Sequence, residues 1–167
     1  MSRIRKQQTA DLRLTPDLVP KPLWGISAYR LFKRGAKWKS IRRAQFASAK
    51  GKCSVCEAPA TLLICHEKWD YDDDHCIATL FGFEMLCRSC DTAVHFARAT
   101  SLGLGDDALS QTCRINGIKS AVVKQLWTRA MITWEQRSRE QWRTAVSVAL
   151  LKAYPQLEIL VGIETGP

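Results

Sequence analysis

Two cysteine pairs, thirty residues apart, constrain this chain more than any other feature: Cys53-Ser-Val-Cys56 and Cys87-Arg-Ser-Cys90. Two thiolates three positions apart on a tight knuckle face one ion, and two such knuckles complete a tetrahedron around zinc. Four protein ligands leave no open coordination position, so zinc here is structural: it holds the fold and does no chemistry. A disulfide framework is the weaker alternative. The cysteines number seven, and Met1 to Leu14 is basic without the apolar stretch of a secretory signal. The expected compartment is reducing and cytoplasmic. No membrane association is expected, since no apolar run approaches the roughly 18 residues of a membrane span.

The charge is divided in a way the total conceals. Residues 1–52 carry 14 Lys/Arg against 2 Asp/Glu, residues 53–95 carry 2 against 8, and residues 96–167 carry 9 against 6. An acidic middle that bears the cysteines and histidines thus lies between basic flanks. Oxygen ligands for a hard cation in the middle and phosphate-neutralising cations around it suit a metal centre that works on a polyanion. The plainer alternative is a solvated acidic loop over Asp70 to Asp74 in an ordinary basic protein.

At 167 residues the chain has room for one compact domain or a small one with appendages. It reads as an extended basic arm over 1–22, a basic helical segment over 23–52, a zinc-bound core over 53–100, and a helical C-terminal segment over 101–167 packing on that core. Arg3, Arg5 and Lys6 are cations on the arm, and Pro16, Pro20 and Pro22 keep it extended. Ser27 to Lys33 suits a short helix ended by Gly35. Ala36 to Lys50 suits a second, with Trp38 and Ile41 on its apolar side. Lys33, Arg34, Lys37, Lys39, Arg42 and Arg43 are the candidates for phosphate contact.

Thr61 to His66 is apolar and β-prone, and Ile77 to Phe83 suits a return strand. Asp91 to Ala99 suits a helix, and another runs from Asp106 or Asp107 to about Ile115 with Asn116-Gly117 as its stop. From Ser120 to Tyr154 there is neither Gly nor Pro, and Trp127, Trp134 and Trp142 recur at intervals of 7 and 8. That spacing predicts a long C-terminal helix, or a helix pair bent near 137–140, with the tryptophans forming a packing seam. The fold class expected is α+β, mostly α.

Chemistry must come from what the zinc clamps together. Cys65-His66-Glu67 ends the first strand-like run, while Asp91 and His95, four apart on the predicted helix, point the same way. The two knuckles tether strand and helix, so His66, Asp91 and His95 are expected to converge in one cleft.

Cys-x-x-Cys, an apolar strand ending in His, then Leu-Cys-x-x-Cys and His95 together resemble the zinc-clamped HNH endonucleases, the ββα-metal fold, over Cys53 to His95. His66-Glu-Lys-Trp69-Asp-Tyr71-Asp72 is similar to a His-Glu-x-Trp-x-Tyr-Asp signature found in one subset of them. Trp24-Gly25, Trp38 and the segment beginning at Trp134 look like its companions. The resemblance implies an HNH core and metal-dependent hydrolysis of DNA phosphodiesters. His66 would be the general base, with Asp91 and His95 as ligands of a catalytic Mg or Mn (or another divalent ion). An alternative assignment makes His66 a ligand and Glu67 the proton acceptor. The implied partner is nucleic acid, and two-strand cutting by one site per chain favours a homodimer. Two other readings stand beside it: a catalytically inactive zinc-ribbon nucleic-acid-binding protein, and a protein-interaction module docking through its tryptophan-rich C-terminal helix.

Overall fold

An antiparallel hairpin organises the molecule. The computed structural model describes residues 12–166; Arg3, Arg5 and Lys6 lie outside them. Strand β1 (Ile64–Asp72) pairs with β2 (Ile77–Leu86), from Ile64 opposite Leu86 to Asp72 opposite Ile77. Asp72 builds the turn between them. Its Oδ1 accepts from the backbone N–H groups of Asp74 and His75 at 3.1 and 3.2 Å, and its Oδ2 lies 2.8 Å from His75 Nδ1. A carboxylate that satisfies the backbone two and three residues on is a standard means of reversing a chain. Between Lys68 and Trp69 the register slips, leaving Phe81 as the extra residue of a β-bulge.

Around the hairpin lie α1 (Ala28–Leu31), α2 (Ala36–Ala49), α3 (Arg88–Val94), α4 (Phe96–Ser101), α5 (Gly105–Asn116) and α6 (Ser120–Arg137), with 3-10 turns at Lys21–Leu23 and Pro155–Leu160. Ser27 caps α1 by accepting from Arg30 N–H. The helix stops at Leu31, ahead of Gly35, because Lys33 and Arg34 take positive φ. Gly117, at φ 64, closes α5 as the Asn-Gly pair predicted. The class is α+β with helix predominating, and no helix among the described residues is long and apolar enough to cross a membrane.

Two expectations need correction. The C-terminal region is not one long helix or a helix pair: α6 ends at Arg137, and the chain then forms β3 (Arg143–Val146), which pairs parallel with β2, before a short α7 (Val148–Ala153). Trp142 accordingly leaves the helical stripe. It is 2% exposed, its ring meets Tyr71 edge-on at 5.6 Å, and its indole N–H donates to the Arg137 carbonyl at 2.8 Å. The predicted helix over 91–99 is broken at His95, where φ −95 and ψ 43 separate α3 from α4. That change of direction accompanies the stacking of Phe96 on Trp127, with ring centroids 4.4 Å apart. The described part of the N-terminal arm is tied down. Asn116 Oδ1 accepts from the Arg13 and Leu14 N–H groups, its Nδ2 donates to the Leu14 carbonyl, and Asp17 N–H donates to the Val94 carbonyl at 3.0 Å.

Two main cores flank the sheet. One gathers Leu14, Val55, Leu63, Leu86, Val94 and Phe96 around the cysteines. The other gathers Trp38, Ile41, Leu80, Val146, Leu150 and Leu157 beneath α2 and the C-terminal turn.

Candidate metal centres and the cleft between them

The first knuckle is a miniature loop closed on itself. Cys53 N–H donates to the Ala58 carbonyl, Glu57 N–H to the Cys53 carbonyl, and Glu57 takes φ 59. Ser54 fastens it to the end of β2, giving its N–H to Met85 O at 2.8 Å and taking Met85 N–H on its hydroxyl at 3.1 Å. Cys87 caps α3 and Cys90 lies on that helix's first turn. The four sulfurs all fall within 4.8 Å of one another, and all seven cysteines are unpaired thiols.

The donor set fits zinc. A tetrahedron with Zn–S of about 2.3 Å has edges of about 3.8 Å, and Cys56 Sγ lies 3.7 Å from Cys87 Sγ. Burial opposes ionisation of Cys53, but N–H groups of Cys56, Cys87 and Val55 aimed at its sulfur bring its pKa down to about 7. Burial pushes Cys87 and Cys90 up, and a thiolate at Cys53 pushes them further. One thiolate thus forms readily, while Cys87 and Cys90 need a cation beside them to ionise. Gln111, from α5, donates to Cys90 Sγ at 3.1 Å and is a support that spacing rules did not reveal.

His66, Asp91 and His95 do come together: one ligand atom from each lies within 4.8 Å of the others. The imidazoles of His66 and His95 meet edge-on with centroids 5.0 Å apart, and Asp91 Oδ1 lies 3.9 Å from His95 Nε2. Burial, followed by repulsion from His66, lowers the pKa of His95 and favours its neutral, ligating form. His66 is only 8% exposed. Burial alone would lower its pKa, yet the net direction is upward, because its Nε2 lies 3.3 Å from Asp17 Oδ2 and the charges of Glu84 and Asp91 add to that effect. Two imidazoles and a carboxylate form a donor set suited to a divalent cation with positions left for water and substrate.

Glu67 lies apart from this cluster. Neighbouring strand residues point to opposite faces, and Glu67 accepts from the Tyr29 N–H at 3.1 Å and from the Trp69 indole at 3.3 Å. Burial raises its pKa. The residue that sequence reasoning missed is Asp17, which reaches His66 from a segment with no periodicity to advertise it.

A cleft of about 850 Å³ runs along β1, an edge strand, and takes in His66, Asp91 and His95 together with Trp24, Arg42 and Arg98. The six predicted phosphate-contact residues are all exposed. Arg42 lines the cleft, and Lys33 and Arg34 border a shallow pocket that adjoins it through Gly25, Tyr29 and Arg30. Arg34 lies 5.1 Å over the Tyr29 ring and Lys37 lies 5.8 Å over Phe32. Lys39 and Arg43 stand exposed on α2.

No family model, curated protein or solved structure matches this chain.

Proposed function

We propose that this chain is a metal-dependent endonuclease of the HNH type that hydrolyses DNA phosphodiesters. The observation that carries the reading is the convergence of His66, Asp91 and His95 where a strand and a helix are tied together by four cysteines.

In this reading His66 is the general base. Because Nε2 of His66 faces the Asp17 carboxylate at 3.3 Å, Nδ1 is the ring nitrogen left to accept a proton from the attacking water. The carboxylate also holds the ring in one orientation and stabilises the imidazolium formed when the proton arrives. Asp91 and His95 would hold the divalent cation. That cation, when bound, stabilises charge on the phosphate oxygens and the departing 3′ oxygen. Imidazole in the donor set favours manganese or a later divalent ion over magnesium. Glu67, hydrogen-bonded away from the cluster, is the poorer candidate for proton acceptor.

The test is plasmid nicking across magnesium, manganese, cobalt, nickel and zinc, with His66→Ala and His95→Ala beside the parent. Nicking that depends on the added ion and falls by about 100-fold or more in His66→Ala is expected. If no ion supports cleavage while salt-sensitive DNA binding persists, the chain is instead a zinc-clamped nucleic-acid binder without catalysis.

A further inference from the structure

A second pocket, of about 540 Å³, opens beside the histidines. Asp17 and His95 contribute to its wall, and it is otherwise lined largely by apolar side chains, among them Leu18, Val19 and Met131. Trp24 and Trp134 complete it. Trp24 is 63% exposed, a large apolar surface left open to water. It is nevertheless held in place: its indole N–H donates to the Val19 carbonyl at 2.8 Å, and the same oxygen accepts the Trp134 indole N–H at 2.9 Å. The two rings stack with centroids 6.3 Å apart at 27°, and Lys21 Nζ sits 5.2 Å over Trp134. Two indoles bonded to one carbonyl make a fixed flat surface, which loses little freedom when a second flat group lies on it.

Its neighbourhood points to that group. Asp17, Val19, Trp24, His95 and Arg98 border both this pocket and the β1-edge cleft, and the cleft adds Arg30 and Arg42 as well as the carboxylates of Glu67 and Asp91. A ligand that puts an anion among these arginines and a flat apolar surface on Trp24, within reach of His95, combines phosphate and aromatic ring in one molecule. The pocket offers few groups for reading hydrogen-bond patterns, which suits stacking that tolerates any base.

We propose that this pocket receives one unpaired nucleobase of the strand being cut, so that the substrate is single-stranded DNA or DNA locally opened at the scissile position. The proposal rests on the nuclease reading and names the substrate class of that same site. A base kept in a duplex stack cannot reach Trp24 while its phosphate lies at the histidines; a base turned out of the stack can.

The test is binding by the zinc-loaded full chain, without added magnesium or manganese, followed by fluorescence anisotropy. Three labelled probes of about 12 nucleotides are compared: a single strand, its blunt duplex, and a single strand carrying abasic sugars. The base-bearing strand is expected to bind about 10-fold or more tighter than the abasic one. Trp24→Ala should erase that difference and leave the abasic affinity and its salt dependence as they were, while Trp24→Phe, which keeps a ring, should retain most of it. Unchanged circular dichroism of both variants shows that they fold. Equal binding of base-bearing and abasic strands, or tighter binding of the duplex, overturns the pocket proposal and leaves the nuclease reading standing. No salt-sensitive binding of any probe overturns both.

Discussion

Asp17 Oδ2 lies 3.3 Å from His66 Nε2, so the N-terminal arm reaches the residue assigned as the base across the whole basic segment between them. Asp17 is itself anchored through its backbone N–H to Val94, and under the proposed nuclease reading it is a positioning residue. Asp17→Asn is expected to lower kcat by about 10-fold or more with little change in KM, because a neutral amide neither stabilises imidazolium nor fixes which nitrogen holds the proton. Asp17→Glu should recover part of the rate. An equal loss in both variants, with KM raised, would assign Asp17 to binding instead.

The four-cysteine site predicts a pattern of thiol reactivity. With zinc bound, Cys53, Cys56, Cys87 and Cys90 are protected, and Cys65 is unreactive because burial and the Glu67 charge push its pKa up to about 12. Alkylation of the native protein should therefore mark only Cys76 and Cys113. A strong chelator should open the four clamp cysteines to labelling and reduce the cooperativity of unfolding, since structural zinc contributes folding free energy directly. Mass spectrometry of the labelled peptides reads the result.

Position along the cleft predicts unequal roles for the basic residues. Arg42 lines the cleft that holds His66, whereas Lys39 and Arg43 lie on exposed turns of α2. Arg42→Ala should weaken single-strand binding and reduce the slope of log affinity against log salt by about 0.7. Lys39→Ala should move both much less. Titrations across a salt series separate the two.

Trp142 closes the end of the sheet. Trp142→Ala removes a buried indole packed against Tyr71 and frees the Arg137 carbonyl. A loss of about 3–5 kcal/mol is expected, measured by denaturant unfolding of the zinc-loaded protein.

The parts of the molecule that were legible in sequence are those whose partners lie close along the chain. The Cys-x-x-Cys pairs announce their geometry through local spacing, and Asp91 and His95 share a helical turn, so their meeting with His66 follows once both knuckles hold one ion. Asp17 and Gln111 were not legible, because each reaches its target from a distant segment by a single contact. The C-terminal strand was hidden for another reason. Tryptophans at intervals of 7 and 8 without Gly or Pro imitate a helix, yet Trp142, Thr144 and Val146 are all buried, a two-residue alternation set inside the longer one. Parallel pairing with β2 overrode helical preference there. The acidic turn was legible in composition but not in role: Asp72 braces the reversal, and Asp73 takes a bidentate pair from Arg137 at 2.6 and 2.9 Å.

β3 lies more than fifty residues beyond the hairpin, so the hairpin is synthesised well before the strand that pairs with the outer edge of β2. A chain interrupted ahead of Arg143 would carry β2 with a row of unsatisfied backbone groups, available for pairing with any neighbouring copy. Shortened products of this protein should therefore associate with one another and not persist as monomers.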